Sequence, residues 1–156
     1  MTRTATAHWQ GNLKEGKGNI STQSGVLDKT NYSFKTRFEE GENGTNPEEL
    51  LAAAHAGCFT MSVAAMLDKK GFKPDSLETL ATLTLEGLVI TAIHLSISGS
   101  ITGIDSDEFK AIVKDAEQNC IVSKALKVAI TSEAHLVTNE EKNDTDNIEK
   151  LPMHMD

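Results

Sequence analysis

Residues 36–61 of this chain read TRFEEGENGTNPEELLAAAHAGCFTM. Within this stretch Asn46 can cap a helix, and Pro47 suits the first helical turn. The apolar residues that follow predict a helix that runs to about Lys69 or Lys70, with Gly71 as its C-terminal stop. The chain is therefore predicted to be organised around one long central helix.

The predicted central helix is apolar on nearly every side. A helix of this kind is normally buried all round, but a chain of 156 residues can cover only part of its circumference with its own sheet. Alanines and Gly57 would let a second helix approach closely. The pattern predicts a homodimer with a large apolar interface between central helices.

The rest of the chain alternates between strand and helix patterns. Asp105 is the expected cap of a second helix that ends at Cys120, and a helical turn is expected around Ser123 to Leu126. The strand patterns are Thr4–Trp9, Ile20–Val26, Tyr32–Phe38, Thr79–Leu85, Val89–Ile101 and Lys127–Val137. This order predicts an α+β fold, with antiparallel sheets packed on the central helix. We expect a single domain over residues 1–137 and a frayed polar tail over residues 138–156.

Composition excludes several classes of function. A net charge of −8 disfavours nucleic acid as a partner, because binding phosphates needs a basic face. The first residues lack the apolar core of a secretory signal. The run Leu50–Ala56 is far shorter than the roughly 20 residues that cross a bilayer. We therefore expect a cytoplasmic protein without a membrane partner.

The two cysteines, Cys58 and Cys120, are the candidate reactive groups. They form neither a CxxC pair nor a zinc quartet, and a reducing compartment disfavours a permanent disulfide between them. A cysteine in an apolar helix is often inert packing, but a guanidinium brought to it favours the reactive thiolate. Arg37 is one of only two arginines in the chain and is the candidate for that role.

Helix geometry separates the two glutamates that begin the central helix. At about 100° per residue, Glu49 lies on the side opposite Cys58, so it is assigned to capping. Glu48 lies about 80° from Cys58 and is the candidate for chemistry. Ten residues of helical rise place it roughly 15 Å away, too far for contact within one chain. Either Arg37 bridges this gap, or Arg37 and Glu48 of one subunit serve Cys58 of the other, which is the arrangement that we favour.

The histidines are assigned to structure. His55 in the central helix is expected to be a core histidine with its hydrogen bonds satisfied, and is left out of the candidate site. The others show no metal-ligand spacing: His8, His94, His135 and His154. The sequence predicts no metal and no cofactor.

Three segments together resemble the OsmC/Ohr family, and its osmotically inducible OsmC branch in particular. They are AHWQGNLKEGKGNISTQSGVL, the central TRFEEGENGTNPEELLAAAHAGCFTM, and the distal AEQNCIVSKAL, and the likeness covers roughly residues 6–137. The resemblance implies a cysteine-based hydroperoxide reductase that forms an intertwined homodimer with sites at the subunit interface. It implies a peroxidatic role for Cys58, a resolving role for Cys120, and site roles for Glu48 and Arg37. The Ohr branch takes its arginine from the first hairpin, where this chain has Lys14 and Lys17.

The implied cycle uses an organic hydroperoxide and a dithiol reductant as partners. Cys58 would become a sulfenic acid, Cys120 would close a disulfide, and the reductant would reopen it. Apolar walls from Phe59 and Met61 would favour organic hydroperoxides over hydrogen peroxide. Two alternatives remain: an idle dimer that binds an apolar ligand, or a redox sensor that oxidises without turnover.

Overall fold

The computed structural model describes residues 1–138. The chain divides into two compact units, one of Met1–Ala52 and one that begins at Ala53. The expected tail lies outside the described residues, except for Thr138. The single domain over residues 1–137 stays a prediction.

The first unit contains a small antiparallel sheet, a short helix and the start of the central helix. Its strands lie in the order β1–β2–β3, and their register pairs Trp9 with Gly18 and Gly18 with Tyr32. Gly18 is required here, because a Cβ at this position would lie 2.7 Å from the Trp9 ring. The elements are β1 (Ala5–Gln10), β2 (Lys17–Thr22), β3 (Thr30–Tyr32) and α1 (Phe34–Phe38).

The predicted strand Tyr32–Phe38 is wrong, because only Tyr32 belongs to a strand and Phe34–Phe38 forms α1. Ser33 caps this helix by accepting a hydrogen bond from the backbone N–H of Thr36, and the Thr36 hydroxyl accepts one from the backbone N–H of Ser33. This reciprocal capping box satisfies two backbone donors locally and favours a helical turn over a strand. Arg37 therefore lies on a helix.

The central helix α2 spans Pro47–Lys69, as predicted. The Asn46 side chain accepts a hydrogen bond from the Glu49 backbone N–H at 2.8 Å, which satisfies one of the unpaired donors of the first turn. Gly71 follows the helix at a φ of 83°, the left-handed conformation that a terminal glycine adopts most readily. The Glu49 carboxylate accepts a hydrogen bond from the Thr45 hydroxyl.

The second unit contains the remainder of α2, a three-stranded sheet and two further helices. Strand β5 lies in the middle of the sheet, between β4 and β6. Asp105 caps α3 as predicted, by accepting a hydrogen bond from the Glu108 backbone N–H. The elements are β4 (Pro74–Glu86), β5 (Val89–Ile101), α3 (Ser106–Asn119), α4 (Ile121–Ala125) and β6 (Ala129–Leu136).

The prediction of wholly antiparallel sheets is wrong for one pair of strands. β4 and β5 are antiparallel, but β6 lies parallel to β5, with Ala92 opposite Ala129 and Gly99 opposite Leu136. The chain leaves β5 and returns through α3 and α4, and such a crossover brings the next strand back in the same direction. α3 therefore lies between two parallel strands in the chain.

The core of the second unit lies between α2, the inner face of the sheet and α3. Only one side of α2 contributes to it, through residues spaced four apart: His55, Phe59, Val63 and Leu67. β5 contributes Ile93, Leu95 and Ile97, all fully buried, and α3 contributes Phe109, Ile112, Val113 and Ala116. Cys120 is a member of this cluster, and Cys58 packs against it.

α2 is the one helix among residues 1–138 that is long and apolar enough to cross a membrane. Its 23 residues include a window with a mean hydropathy of 1.7. The core helix of a soluble protein passes the same test, so length and composition alone do not assign a membrane span.

Candidate functional site

The first group of candidate residues is the pair of Arg37 and Glu48, which the structure brings together. Arg37 Nη2 donates to Glu48 Oε1 at 2.6 Å, and Arg37 Nε donates to the same oxygen at 2.9 Å and to Oε2 at 3.2 Å. The Glu48 side chain is 12% exposed and the Arg37 side chain 44% exposed. The largely buried carboxylate thus fixes the guanidinium and leaves part of it open to a ligand.

Local structure explains why this pair forms. The capping box of α1 fixes the turn on which Arg37 lies, and the Asn46 side-chain amide donates to the Thr36 carbonyl oxygen at 3.0 Å. Asn46 therefore ties α1 to the first turn of α2, where Glu48 lies. Arg37 and Glu48 are thus paired in the structure, while their catalytic role stays a prediction.

An apolar cavity of about 300 Å³ opens beside the guanidinium, within the first unit. Arg37 is its only charged lining residue, and Ser33 adds a hydroxyl. The other lining residues are apolar or aromatic: Trp9, Leu13, Tyr32, Phe34, Phe38 and Pro47. A positive charge at the wall of an apolar recess suits a small ligand with a polar head and an apolar body.

The two thiols lie in the second unit, and both are free. Cys58 is half-buried on α2, whereas Cys120 is only 2% exposed at the junction of α3 and α4. Phe59, expected as a wall of the substrate site, is fully buried in the core, while Met61 is 75% exposed. The aromatic walls beside Arg37 come instead from β1, β3 and α1.

Cys120 belongs to a buried chain of hydrogen bonds that the sequence did not indicate. Its Sγ lies 2.9 Å from Ser123 Oγ, and Ser123 Oγ lies 2.8 Å from His55 Nε2. The Ser123 backbone N–H also donates to Cys120 Sγ, at 3.3 Å. A Cys-x-x-Ser spacing at the start of a helix was the available signal, but nothing local to that motif points to a histidine 68 residues away.

His55 is fully buried, and desolvation lowers its pKa below the ordinary value of 6.5. The ring is therefore neutral at neutral pH, because burial disfavours the imidazolium. Its Nδ1 has no hydrogen-bond partner within the part of the chain that the structure describes. The expectation of a core histidine with satisfied hydrogen bonds is thus wrong for one of the two ring nitrogens.

Acidification should destabilise this protein through His55. Below pH 6.5 the unfolded chain binds a proton at this residue and the folded chain does not, so stability falls with decreasing pH until the lowered folded-state pKa is reached. The contribution approaches about 1.4 kcal/mol per pH unit. Urea unfolding of wild type and His55→Gln between pH 7.5 and 5 measures it. Parallel stability curves for the two proteins would contradict the expectation, since all other histidines are common to both.

Metal binding has no support within the described chain. No group of three or more histidine, cysteine or acidic side chains in residues 1–138 is arranged to hold a metal ion. The candidate residues offer two thiols, a fixed guanidinium and a buried hydroxyl–imidazole pair.

Comparisons with known proteins connect these features to one family. The family model described as OsmC-like protein matches residues 39–135. Peroxiredoxin OsmC of Escherichia coli is 48% identical over 134 residues, which cover 83% of this chain and 93% of that protein. Organic hydroperoxide resistance protein OhrB of Bacillus subtilis is 29% identical over 119 residues, with 70% and 82% coverage.

A solved structure supports the same fold. The OsmC-like protein from Mycoplasma pneumoniae superimposes with a TM-score of 0.69 at 15% identity, covering 88% of this chain and 99% of that one. The matched sequence contains α2 with Glu48 and Cys58, and continues through Cys120. This chain belongs to the OsmC-like protein family.

Proposed function

We propose that this protein is a peroxidase that uses Cys58 to reduce organic hydroperoxides to alcohols. The observation that carries the proposal is the guanidinium of Arg37, held by Glu48 at the wall of an apolar cavity of about 300 Å³. The names of two relatives support it, since one is a peroxiredoxin and another an organic hydroperoxide resistance protein.

The first step is attack of the Cys58 thiolate on the outer oxygen of the hydroperoxide. The O–O bond breaks, the departing alkoxide takes a proton and leaves as alcohol, and the sulfur keeps the outer oxygen as a sulfenic acid. Only the thiolate performs this attack, and a fixed positive charge stabilises it. A guanidinium supplies that charge at every physiological pH, because it does not lose its proton.

The second step resolves the sulfenic acid. The Cys120 thiol attacks the oxidised sulfur of Cys58, a disulfide forms, and the oxygen leaves as water. A dithiol reductant then reduces the disulfide by exchange and becomes a disulfide itself. The reducing cytoplasm suits this cycle, because both thiols are free there at the start of each turnover.

We further propose that the site is completed by a second copy of the chain. The side of α2 that faces away from the core is apolar and exposed, and it includes Met61, which is 75% exposed. Its other members are small residues that permit close helix packing: Ala53, Ala54, Gly57 and Ala65. An antiparallel pair of α2 helices would bring Arg37 and Glu48 of one subunit to Cys58 of the other.

Substrate preference tests the proposed function. With dithiothreitol as reductant, kcat/KM for cumene hydroperoxide should exceed that for hydrogen peroxide by about 10-fold or more, because burial of the aromatic body of cumene hydroperoxide contributes roughly 1.5–3 kcal/mol. Steady-state peroxide consumption measures both. Equal kcat/KM values for the two peroxides would contradict a role for the apolar cavity in substrate binding. Absence of turnover with either peroxide would favour the ligand-binding or sensor alternatives.

A further inference from the structure

We propose that Ser123 and His55 form a proton relay that activates Cys120 for closure of the disulfide. The proposal rests on the proposed function in one respect, that Cys120 attacks an oxidised Cys58. In it Ser123 is a catalytic residue, because its hydroxyl touches the attacking sulfur. His55 is a positioning and proton-accepting residue that acts through Ser123.

The geometry is that of a continuous relay. Ser123 Oγ lies 2.9 Å from Cys120 Sγ and 2.8 Å from His55 Nε2, so one hydroxyl bridges the two groups. In the tautomer with the proton on Nδ1, Nε2 accepts from the Ser123 hydroxyl, which in turn accepts from the Cys120 thiol. During the attack both protons shift along these hydrogen bonds, so the attacking sulfur receives hydrogen bonds from the Ser123 hydroxyl and the Ser123 backbone N–H, and the neutral imidazole holds the proton only transiently.

Burial distinguishes the Cys120–Ser123–His55 relay from an ordinary pair of surface hydrogen bonds. His55 is fully buried, Cys120 is 2% exposed and Ser123 is 6% exposed. No water-exposed base is therefore available to the Cys120 thiol, and a thiol that must attack from such a place needs a base supplied by the protein. Burying an imidazole whose Nδ1 has no hydrogen-bond partner costs folding free energy, and packing alone does not explain why a histidine occupies this position.

The relay also connects the two structural elements that carry the cysteines. His55 lies three residues before Cys58 on α2, a spacing that makes the two neighbours on the helix surface. Ser123 lies three residues after Cys120 and belongs to α4. The His55–Ser123 hydrogen bond therefore connects the helix that carries the peroxidatic sulfur to the turn that carries the resolving sulfur.

The step balances in atoms and electrons. Cys120 Sγ forms a bond to Cys58 Sγ, the S–O bond of the sulfenic acid breaks, and its electron pair leaves with hydroxide. The Cys120 sulfur is oxidised and the Cys58 sulfur is reduced. The Cys120 proton moves to Ser123 while the Ser123 proton moves to His55. The departing hydroxide takes up one proton and His55 then gives up the proton that it gained, so thiol and sulfenic acid yield a disulfide and one water with no net charge.

A single-turnover experiment on the full chain tests the relay. Reduced protein is mixed with one equivalent of cumene hydroperoxide, and sulfenic acid and disulfide are followed by dimedone trapping and intact mass. Ser123→Ala should leave the oxidation of Cys58 unchanged and slow disulfide closure by about 100-fold or more, the usual contribution of a positioned base. His55→Gln should slow closure similarly, because an amide does not accept the proton.

Two further variants separate the relay from simple loss of packing. Ser123→Thr retains the hydroxyl and should restore most of the closure rate. Ser132→Ala removes a serine hydroxyl that donates to the buried Glu117 carboxylate in the same unit, and should close at the wild-type rate. Closure at the wild-type rate in Ser123→Ala, or equal slowing in Ser123→Ala and Ser123→Thr, would overturn the proposal.

Diamide distinguishes failure of the relay from failure of the proposed function. It adds to the first thiol, and attack by the second thiol then yields the disulfide and a hydrazine, with no peroxide involved. If wild type consumes no hydroperoxide but Ser123→Ala slows this second step, the relay holds and the peroxidase proposal falls. If Ser123→Ala also closes at the wild-type rate with diamide, the relay falls independently of the peroxide result.

Discussion

Cys58→Ser should abolish turnover of hydroperoxides while leaving the fold intact. A serine hydroxyl in place of the half-buried thiol has similar size, so the packing of α2 against the core should change little. It is neither ionised at neutral pH nor able to be oxidised to a sulfenic acid, so attack on the O–O bond is lost. Consumption of cumene hydroperoxide with dithiothreitol measures the loss, and circular dichroism verifies the fold.

Cys120→Ser is the matched control for this result. It leaves the attacking sulfur in place, so the first equivalent of hydroperoxide should be reduced at the wild-type rate. Repeated turnover with dithiothreitol should then slow, because only the external reductant is left to attack the sulfenic acid, and part of the sulfenic acid is oxidised further. If Cys58→Ser turned over hydroperoxide as fast as wild type, the enzyme assignment would be wrong. The alternative of a dimer that binds an apolar ligand would then be favoured.

Arg37→Ala should lower the rate of the first oxidation by roughly 100- to 1,000-fold. In the proposed mechanism the guanidinium stabilises the negative charge on the reacting atoms, and removal of one such preorganised donor typically costs about 100- to 1,000-fold in rate. The measurement is the second-order rate of sulfenic acid formation at pH 7. Arg37→Lys keeps a positive charge but loses the planar guanidinium, whose Nε and Nη2 both donate to Glu48, so it should recover only part of the rate.

Mixing of subunits determines whether Arg37 acts across the interface. Neither Cys58→Ser nor Arg37→Ala alone should turn over efficiently. If Arg37 of one subunit serves Cys58 of the other, mixed dimers of these two variants contain one intact site and regain turnover. If mixing after subunit exchange gives no recovery, the two residues act within one chain. An undiminished oxidation rate in Arg37→Ala would remove the residue from the mechanism.

The start and end of α2 were predictable because their signals are local. Asn46 and Pro47 define the start through hydrogen bonding and a fixed φ, and Gly71 defines the end through its left-handed conformation. The pairing of Arg37 with Glu48 likewise joins residues only 11 positions apart. These features depend on residues close in sequence.

The features that the sequence did not predict depend on interactions that the pattern of hydrophobic residues does not reveal. Tyr32, Phe34, Thr36 and Phe38 alternate as in a strand, but the side chain of Ser33 captures a backbone donor and forms a helical turn. Local hydrogen bonding overrode the pattern of hydrophobicity. The direction of β6 follows from a crossover through α3 and α4, which periodicity does not reveal. The His55–Ser123 contact depends on tertiary packing between residues 68 positions apart.

The position of Cys120 has a consequence for the reduction potential of the protein. Cys120 is both the last cap of α3 and the first cap of α4, and its sulfur accepts a hydrogen bond from the Ser123 backbone N–H. The reduced thiol is thus stabilised by native contacts that a disulfide to Cys58 must disturb. Contacts of this kind contribute about 1 kcal/mol each, and about 1.4 kcal/mol corresponds to 30 mV. If the proposed Cys58–Cys120 disulfide forms, the loss of these contacts would make it more oxidising, so that a weaker dithiol would suffice to regenerate it.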